Sequence, residues 1–175
     1  MSDYWDQRYA SGGDSGAGSR GHYAELKARL VNEQVALNQI ETVLDLGCGD
    51  GYVAGLLECP DYLGVDTSLA AVELARGRHP DLRFMVAPVT VYARDAHLSL
   101  DVIRHLVDDD DYHQHLNALF RAKRVVMVWS SNEDIPGAPH DRQRRWTPNI
   151  PDEWELVAEI PIIGINSRFF VLVRA

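Results

Sequence analysis

Residues 43–53, Val-Leu-Asp-Leu-Gly-Cys-Gly-Asp-Gly-Tyr-Val, decide the fold. A short apolar run fit for a buried strand enters a loop with a glycine at every second position, and apolar residues then resume at helical spacing. A second apolar run, residues 62–65, ends on Asp66. A strand, a glycine turn, a helix and a second strand that ends in a carboxylate form half of a nucleotide-binding βαβ unit.

A carboxylate before the first glycine distinguishes this loop from a dinucleotide site. A dinucleotide loop has the pattern G-x-G-x-x-G and places a helix N-terminus against a pyrophosphate. Here Asp45 precedes Gly47, Gly49 and Gly51 at alternate positions. Asp45 would repel a pyrophosphate but suits a ligand with a sulfonium and an ammonium group. Gly47 and Gly49 permit a tight turn and close approach of a ligand, and Asp66 can accept both ribose hydroxyl hydrogens.

This loop resembles motif I of the class I methyltransferases that use S-adenosylmethionine, and the resemblance extends from about Tyr4 to the chain end. It implies an α/β fold with a doubly wound, Rossmann-like, seven-stranded and mostly parallel sheet that ends in an antiparallel C-terminal hairpin. It also implies S-adenosylmethionine as cofactor. The cofactor-binding residues that it implies are Trp5, Tyr9, Asp45, Gly47, Cys48, Gly49, Asp66, Thr67, Ala87, Pro88 and Leu100.

Length and composition predict one ordinary globular domain. The chain has 175 residues, 46% hydrophobic and 25% charged, and no apolar run approaches the roughly 20 residues that span a bilayer. The first residues do not form a signal peptide, and a disulfide between Cys48 and Cys59 is not expected, so we expect a cytoplasmic location. The net charge of −9 argues against broad nucleic-acid binding. The oligomeric state is not predicted.

Residues 1–20 are expected to form an N-terminal lid, and residues 21–175 a single methyltransferase domain. The first turns carry Trp5 and Tyr9 on one helical face, and residues 11–19 resemble a mobile loop rich in glycine. A frayed terminus is the alternative. Small-molecule methyltransferases that begin with a similar aromatic segment fold it over the cofactor, and that resemblance favours the lid.

Apolar periodicity predicts the remaining elements. Helices are expected over residues 21–39, 51–58, 68–78 and about 108–121. Strands are expected near residues 42–46, 62–65, 82–86, 97–100, 124–129, 154–162 and 168–174. The last two strands follow one another through a tight turn, which is typical of an antiparallel hairpin.

The segment after the third strand departs from the family pattern. Family members commonly carry an acidic residue there that contacts the adenine amine, whereas this chain has Ala87-Pro88-Val89. Proline has neither a donor nor a side-chain acceptor. Adenine recognition is therefore expected to rest on apolar walls and backbone groups.

Two candidate bases follow the fourth strand, which ends at the edge where open α/β sheets bind their ligands. Asp101 and His105 form an Asp-x-x-x-His-Leu pattern similar to that of several small-molecule methyltransferases. Either residue can take a proton from a substrate hydroxyl, and histidine suits this role near neutral pH. The alternative for His105 is a structural residue with a satisfied ring.

The polar segment 130–146 after the fifth strand is the expected substrate-recognition loop. His140 is a third candidate base, and His140 and Arg145 are candidate substrate-binding residues. Arg142, Arg144 and Arg145 suit an acceptor carboxylate or phosphate, but they would also offset the acidic surface.

The acidic run 108–111 opens the helix that follows. Four carboxylates match the positive end of a helix dipole. Metal binding by this run with His113 or His115 is the alternative, and no metal site is predicted.

The predicted function is methyl transfer from S-adenosylmethionine to a small-molecule or glycan acceptor, at oxygen. Nucleic-acid amino methyltransferases of this fold carry Asp/Asn-Pro-Pro-aromatic after strand four, whereas this chain has Asp-Val-Ile-Arg at 101–104. Neither cysteine occupies the Pro-Cys position of pyrimidine methyltransferases. A non-catalytic S-adenosylmethionine-binding regulator and an NAD-dependent oxidoreductase are the two alternatives.

Overall fold

A computed structural model describes residues 2–86, 93–135, 137 and 139–175. Within these ranges seven strands form one sheet. The strands are β1 (Thr42–Leu46), β2 (Asp61–Asp66), β3 (Arg83–Val86), β4 (Ala96–Leu100), β5 (Val125–Ser130), β6 (Trp154–Pro161) and β7 (Arg168–Arg174). Their order across the sheet is β3-β2-β1-β4-β5-β7-β6.

The strand directions confirm the predicted doubly wound sheet with its terminal hairpin. Strands β1 to β5 pair in parallel, and β7 runs antiparallel to both β5 and β6. The chain reverses its winding direction between β1 and β4, which are neighbours. The carboxyl ends of these two strands therefore form the switch point where open α/β sheets bind ligands.

Helices cover both faces of the sheet. They are α1 (Ser2–Ala10), α2 (Gly21–Leu37), α3 (Leu69–Arg78) and α4 (Asp109–Leu119). Ser68 caps α3 through its hydroxyl, and the Asp108 carboxylate caps α4, as polar residues do at helix starts. These bounds agree with the predicted helices to within two residues.

Alternate residues of the central strands build two cores. Val43 faces the core beneath α2 and α3, whereas Leu44 and Leu46 face the core beneath α4. Strand β5 alternates in the same way, with Met127 on the first side and Val128 on the second. Successive side chains of a strand point to opposite faces, and burial on both faces explains the continuous apolar runs in the sequence.

The prediction of a helix over residues 51–58 was wrong. A short 3₁₀ turn, Ala54–Leu56, takes its place. Gly55 lowers helical propensity, and a Cβ at this position would lie 2.2 Å from the ring of His79. The contact with the end of α3 therefore determines the conformation of this connection, and the helical spacing of its apolar residues does not.

Within the described ranges, no helix is both long enough and apolar enough to cross a bilayer.

Candidate active site

A cleft of about 790 Å³ opens at the carboxyl edge of the sheet. The loop after β1, residues 47–50, forms one wall, and residues 100–102 and 104–106 after β4 form another. The N-terminal segment lies across both walls, because Tyr4, Trp5 and residues 15–19 also line the cleft. Most of the predicted cofactor residues therefore lie in the same cleft as Asp101, His105 and His140.

The glycine loop depends on the absence of side chains. Gly47 (φ 84°) and Gly49 (φ 56°) lie in the left-handed region, which glycine enters at little cost. A Cβ on Gly47 would lie 2.6 Å from the side chain of Val102, and one on Gly49 would lie 2.5 Å from Ser15 Oγ. The loop thus packs closely against the segment after β4 and against the N-terminal segment.

Asp45 brings an unsatisfied carboxylate oxygen to the cleft wall. Its side chain is buried, and Oδ2 accepts a 2.8 Å hydrogen bond from the hydroxyl of Tyr62. Among the described residues Oδ1 has no hydrogen-bond partner. Burial raises the pKa of Asp45 to about 6, opposed by the Tyr62 hydrogen bond and reinforced by the charge of Asp66. Since buried polar atoms are almost always paired, this oxygen indicates a missing donor.

Asp66 is fixed above the glycine loop by backbone donors. The N–H groups of Gly49 and Ser68 each donate to its carboxylate at 2.9 Å. Burial raises the pKa of Asp66 in spite of these bonds. Each oxygen keeps a further lone pair, so the carboxylate can still accept two hydroxyl hydrogens. Thr67 follows it at the rim of the cleft.

Cys48 and Leu100 also line the cleft. Burial raises the pKa of the Cys48 thiol well above its ordinary value, which makes it a weak nucleophile. Cys48 and Cys59 are both free thiols. The predicted cofactor residues Ala87 and Pro88 lie outside the described residues.

The N-terminal segment is tied down by polar contacts. Tyr9 is buried, and its hydroxyl lies 2.9 Å from Ser15 Oγ. Arg8 donates to the carbonyl of Asp14 at 2.6 Å and pairs with its carboxylate. Residues 11–19, expected to be a mobile loop, thus make specific contacts. Trp5 and Tyr9 both line the cleft, and their role toward the cofactor stays a prediction.

Asp50 organises an ion network that the sequence did not suggest. Its buried carboxylate pairs with Arg20 and, at 3.2 Å, with Arg78. Ser15 Oγ donates to it at 2.9 Å. Although burial opposes ionisation, these partners hold the pKa of Asp50 below its usual range. The network joins the glycine loop to α3 and to the N-terminal segment.

His105 and His140, predicted separately, lie together. His105 Nδ1 lies 3.1 Å from the main-chain carbonyl of His140. Trp5 packs edge-on against His105 with ring centroids 4.9 Å apart, and Tyr4 stacks on His140 at 4.4 Å. Burial lowers the pKa of His105 despite the hydrogen bond. Because a carbonyl oxygen only accepts hydrogen bonds, Nδ1 is the donor in this contact, and in the neutral ring Nε2 is then the nitrogen that can accept a proton.

Asp101 is held differently from His105. It is the first residue after β4, and its carboxylate pairs with Lys27, which is fully buried on α2. Lys27 was missed in the sequence, although a lysine within the apolar stripe of a helix, between Ala24 and Val31, is a recognisable signal.

Two of the three arginines near the end of segment 130–146 pair with a carboxylate of α4. Arg142 and Arg144 both pair with Asp109 at the start of α4, at 3.0 and 2.6 Å. Arg145 is exposed and does not appear among the described residues that line the cleft. The pairing with Asp109 favours the alternative in which Arg142 and Arg144 offset acidic groups of the protein and do not bind an acceptor. A substrate role for Arg145 stays a prediction without support from this geometry.

The floor of the cleft includes a face of α4 that sequence reasoning missed. Asp111, Gln114 and His115 line it at i, i+3 and i+4 spacing. His115 Nε2 lies 2.8 Å from Ser99 Oγ, and burial lowers the pKa of His115 to about 4. This residue is therefore a neutral structural histidine. Asp108 caps the helix and Asp109 pairs with arginines, which favours the capped-helix interpretation over metal binding.

Sequence comparison finds similarity to methyltransferases over part of the chain. Residues 44–126 match a family model described as a methyltransferase domain. A trans-aconitate 2-methyltransferase of Escherichia coli O7:K1 is 28% identical over 166 residues, which are 88% of this chain and 64% of that relative. The chain therefore spans less than two thirds of this relative's length.

Structural comparison identifies the fold. The N-methyltransferase NodS from Bradyrhizobium japonicum WM9, in complex with S-adenosyl-L-homocysteine, superposes with a TM-score of 0.75 at 13% identity, over 98% of this chain and 97% of that one. Magnesium protoporphyrin IX methyltransferase from Synechocystis PCC 6803, with bound S-adenosylhomocysteine, gives a TM-score of 0.71 at 16% identity, over 99% and 97%. At such identities the likeness shows a shared fold.

Proposed function

We propose that this chain is a class I S-adenosylmethionine-dependent methyltransferase, and that it transfers a methyl group from that cofactor to an uncharged small-molecule or glycan acceptor, at oxygen. The observation that carries the proposal is the unpaired Asp45 oxygen beside the glycine loop. This oxygen can accept a hydrogen bond from a cationic group of a ligand, whereas its charge would repel a phosphate.

The residues of the cleft fit S-adenosylmethionine. Asp45 would hold the ammonium group, since a buried carboxylate is stabilised by a charged donor. Gly47 and Gly49 offer a backbone surface without side chains, and Asp66 keeps lone pairs for the ribose hydroxyls. When bound, the cofactor supplies a methyl group activated by a positively charged sulfur.

The chain's own contribution to the chemistry is positioning and proton removal. Leu100, Val102 and the aromatic rings of Tyr4 and Trp5 give the cleft an apolar lining. Holding two reactants at near-attack distance can supply about 7–11 kcal/mol of the barrier. His105, neutral and with Nε2 free, is positioned to take the proton of an acceptor hydroxyl.

The charges of the cleft favour an uncharged acceptor. Among the described residues, the arginines that line it are Arg8 and Arg104. Arg8 pairs with Asp14, and Arg104 forms a two-point ion pair with Asp141. An acceptor rich in carboxylates, such as the trans-aconitate of the relatives' name, would find no unpaired guanidinium there. A hydroxylated, uncharged molecule does not need a guanidinium partner and would fit these charges.

The proposal is tested in two stages. Isothermal calorimetry should show micromolar-range binding of S-adenosylhomocysteine and none of NADH; binding of NADH alone would favour the oxidoreductase instead. Cell extracts treated with isotope-labelled S-adenosylmethionine, with and without the protein, should then show a labelled product by mass spectrometry. Binding without transfer to any extract component would favour the regulator.

A further inference from the structure

Lys27 is a buried cation that the proposed reaction leaves without a role. It lies on α2, and its side chain has no exposed surface. Its ammonium donates to the carbonyl of Gly18 at 2.7 Å, pairs with the Asp101 carboxylate and lies 5.0 Å from the ring centroid of Trp129. Burying an ammonium costs free energy unless the group is fully paired, so Lys27 requires these partners in the folded protein.

These three partners come from three separate parts of the chain. Gly18 belongs to the N-terminal segment over the cleft, Asp101 directly follows β4, and Trp129 lies near the end of β5. Asp101 is also one of the few described residues other than glycine with a positive φ, 64°. Its N–H donates to the Trp129 carbonyl at 2.9 Å. Such a conformation persists only where the surroundings enforce it, and Lys27 is part of those surroundings.

Gly18 fits its position because it has no side chain. A Cβ there would lie 2.7 Å from an Asp101 carboxylate oxygen. The other end of the same stretch is held at a different place, since Ser15 Oγ donates to Asp50 at 2.9 Å. Residues 15–19 therefore cross the cleft between two anchors: the glycine loop through Asp50, and the end of β4 through Lys27.

We propose that Lys27 is a positioning residue that holds residues 15–19 closed over the cleft and fixes Asp101 as its counter-ion. Asp101, expected to be a candidate base, then serves as an anchor, and proton removal is left to His105. The inference rests on the proposed function in one respect: the ligand retained beneath the closed segment is S-adenosylmethionine or its demethylated product.

Three variants separate anchoring from simple charge balance. Lys27→Met alone leaves Asp101 without a counter-ion and is expected to destabilise the fold. Lys27→Met/Asp101→Asn removes both charges, which often restores stability, but it still lacks the donor to Gly18. Gly18→Ala keeps both charges and wedges the segment away from Asp101. Arg29→Gln, on the exposed face of the same helix, is the matched control.

Two measurements report on closure. Stopped-flow tryptophan fluorescence gives the release rate of S-adenosylhomocysteine, and mass spectrometry follows tryptic cleavage after Arg8 in the ligand-free proteins. The double variant and Gly18→Ala should each show about tenfold faster release and cleavage, the loss expected for one charge-assisted hydrogen bond. Arg29→Gln should match the parent in both.

Parental release and cleavage rates in the folded double variant would overturn the proposal, because Lys27 would then only balance charge. The same result for Gly18→Ala would overturn it if the double variant failed to fold. If the parent does not bind S-adenosylhomocysteine, the proposed function fails, and the tryptic comparison still decides the role of Lys27.

Discussion

The two halves of the cleft are built in different ways. The proposed cofactor half, from Asp45 to Asp66, consists of β1, β2 and the connection between them, and its functional residues follow each other along the chain. The acceptor half joins Tyr4, His105 and His140, which come from α1, the turn after β4 and the segment after β5. One half is specified by backbone geometry and the other by side chains that meet only in the folded protein.

This difference explains what substitutions should do in each half. In the proposed cofactor half, the main-chain N–H of Gly49 donates to the Asp66 carboxylate, so a change there should alter ligand affinity directly. In the acceptor half, His105 is held by a carbonyl and an aromatic ring from distant segments. A change there should alter the rate of transfer while leaving cofactor affinity unchanged.

The largest expected effect is on transfer in the acceptor half. His105→Gln removes the proposed base and should lower kcat by about 10²–10⁴-fold, the usual contribution of general base catalysis. The affinity for S-adenosylhomocysteine should not change. His113→Gln, an exposed histidine on α4, is the control. Equal kcat in both variants, measured with the acceptor found in the extract screen, would assign proton removal elsewhere.

A smaller effect, on affinity alone, is expected in the cofactor half. Asp66→Ala removes the acceptor for two ribose hydroxyls and should weaken S-adenosylhomocysteine binding by about 100-fold, since a hydrogen bond to a charged group contributes about 1.5–3 kcal/mol. Asp61→Ala changes an exposed carboxylate at the other end of β2 and should bind as the parent does. If calorimetry cannot distinguish the two variants, the cofactor pocket is misplaced.

The pH dependence of binding tests the cofactor half without changing its shape. Asp45 must be ionised to hold an ammonium group, and burial raises its pKa to about 6. As the pH falls below that value, affinity for S-adenosylhomocysteine should drop by about tenfold per unit. Asp45→Asn should bind weakly and lose this slope. A flat parental profile between about pH 5 and 7 would contradict the assignment of Asp45.

The contrast also marks how far the sequence could be interpreted. Short apolar runs predicted the strands of the sheet, and the glycine spacing with Asp45 and Asp66 predicted which residues of the first two strands line the cleft, because apolar runs and glycine placement are local properties. The prediction of a helix over residues 51–58 was wrong because this stretch packs against the ring of His79, which comes later in the chain. The links between Lys27 and Asp101, or between His105 and His140, join residues far apart in the chain. No local pattern encodes such a pairing.

The smallest expected effect is on the free energy of unfolding. It shows whether Asp45 serves ligand binding or the stability of the fold. The ordinary pKa of an aspartate side chain is 3.8, and burial raises the pKa of Asp45 to about 6 in the folded protein. A raised pKa means that the folded state binds the proton more tightly than the unfolded state. The stability from this site is therefore present below about pH 4 and is lost as pH rises through 6.

Above that pH the ionised Asp45 costs the ligand-free protein on the order of 1–3 kcal/mol. Asp45→Asn keeps an acceptor for Tyr62 and removes the charge, so urea unfolding near neutral pH should show a more stable variant that binds the cofactor poorly. The difference should disappear at acidic pH. Tyr62→Phe should act in the opposite direction, because it leaves both Asp45 oxygens unpaired. A destabilised Asp45→Asn would mean that this carboxylate belongs to the scaffold rather than to the ligand, and the contrast between the two halves would lose its basis.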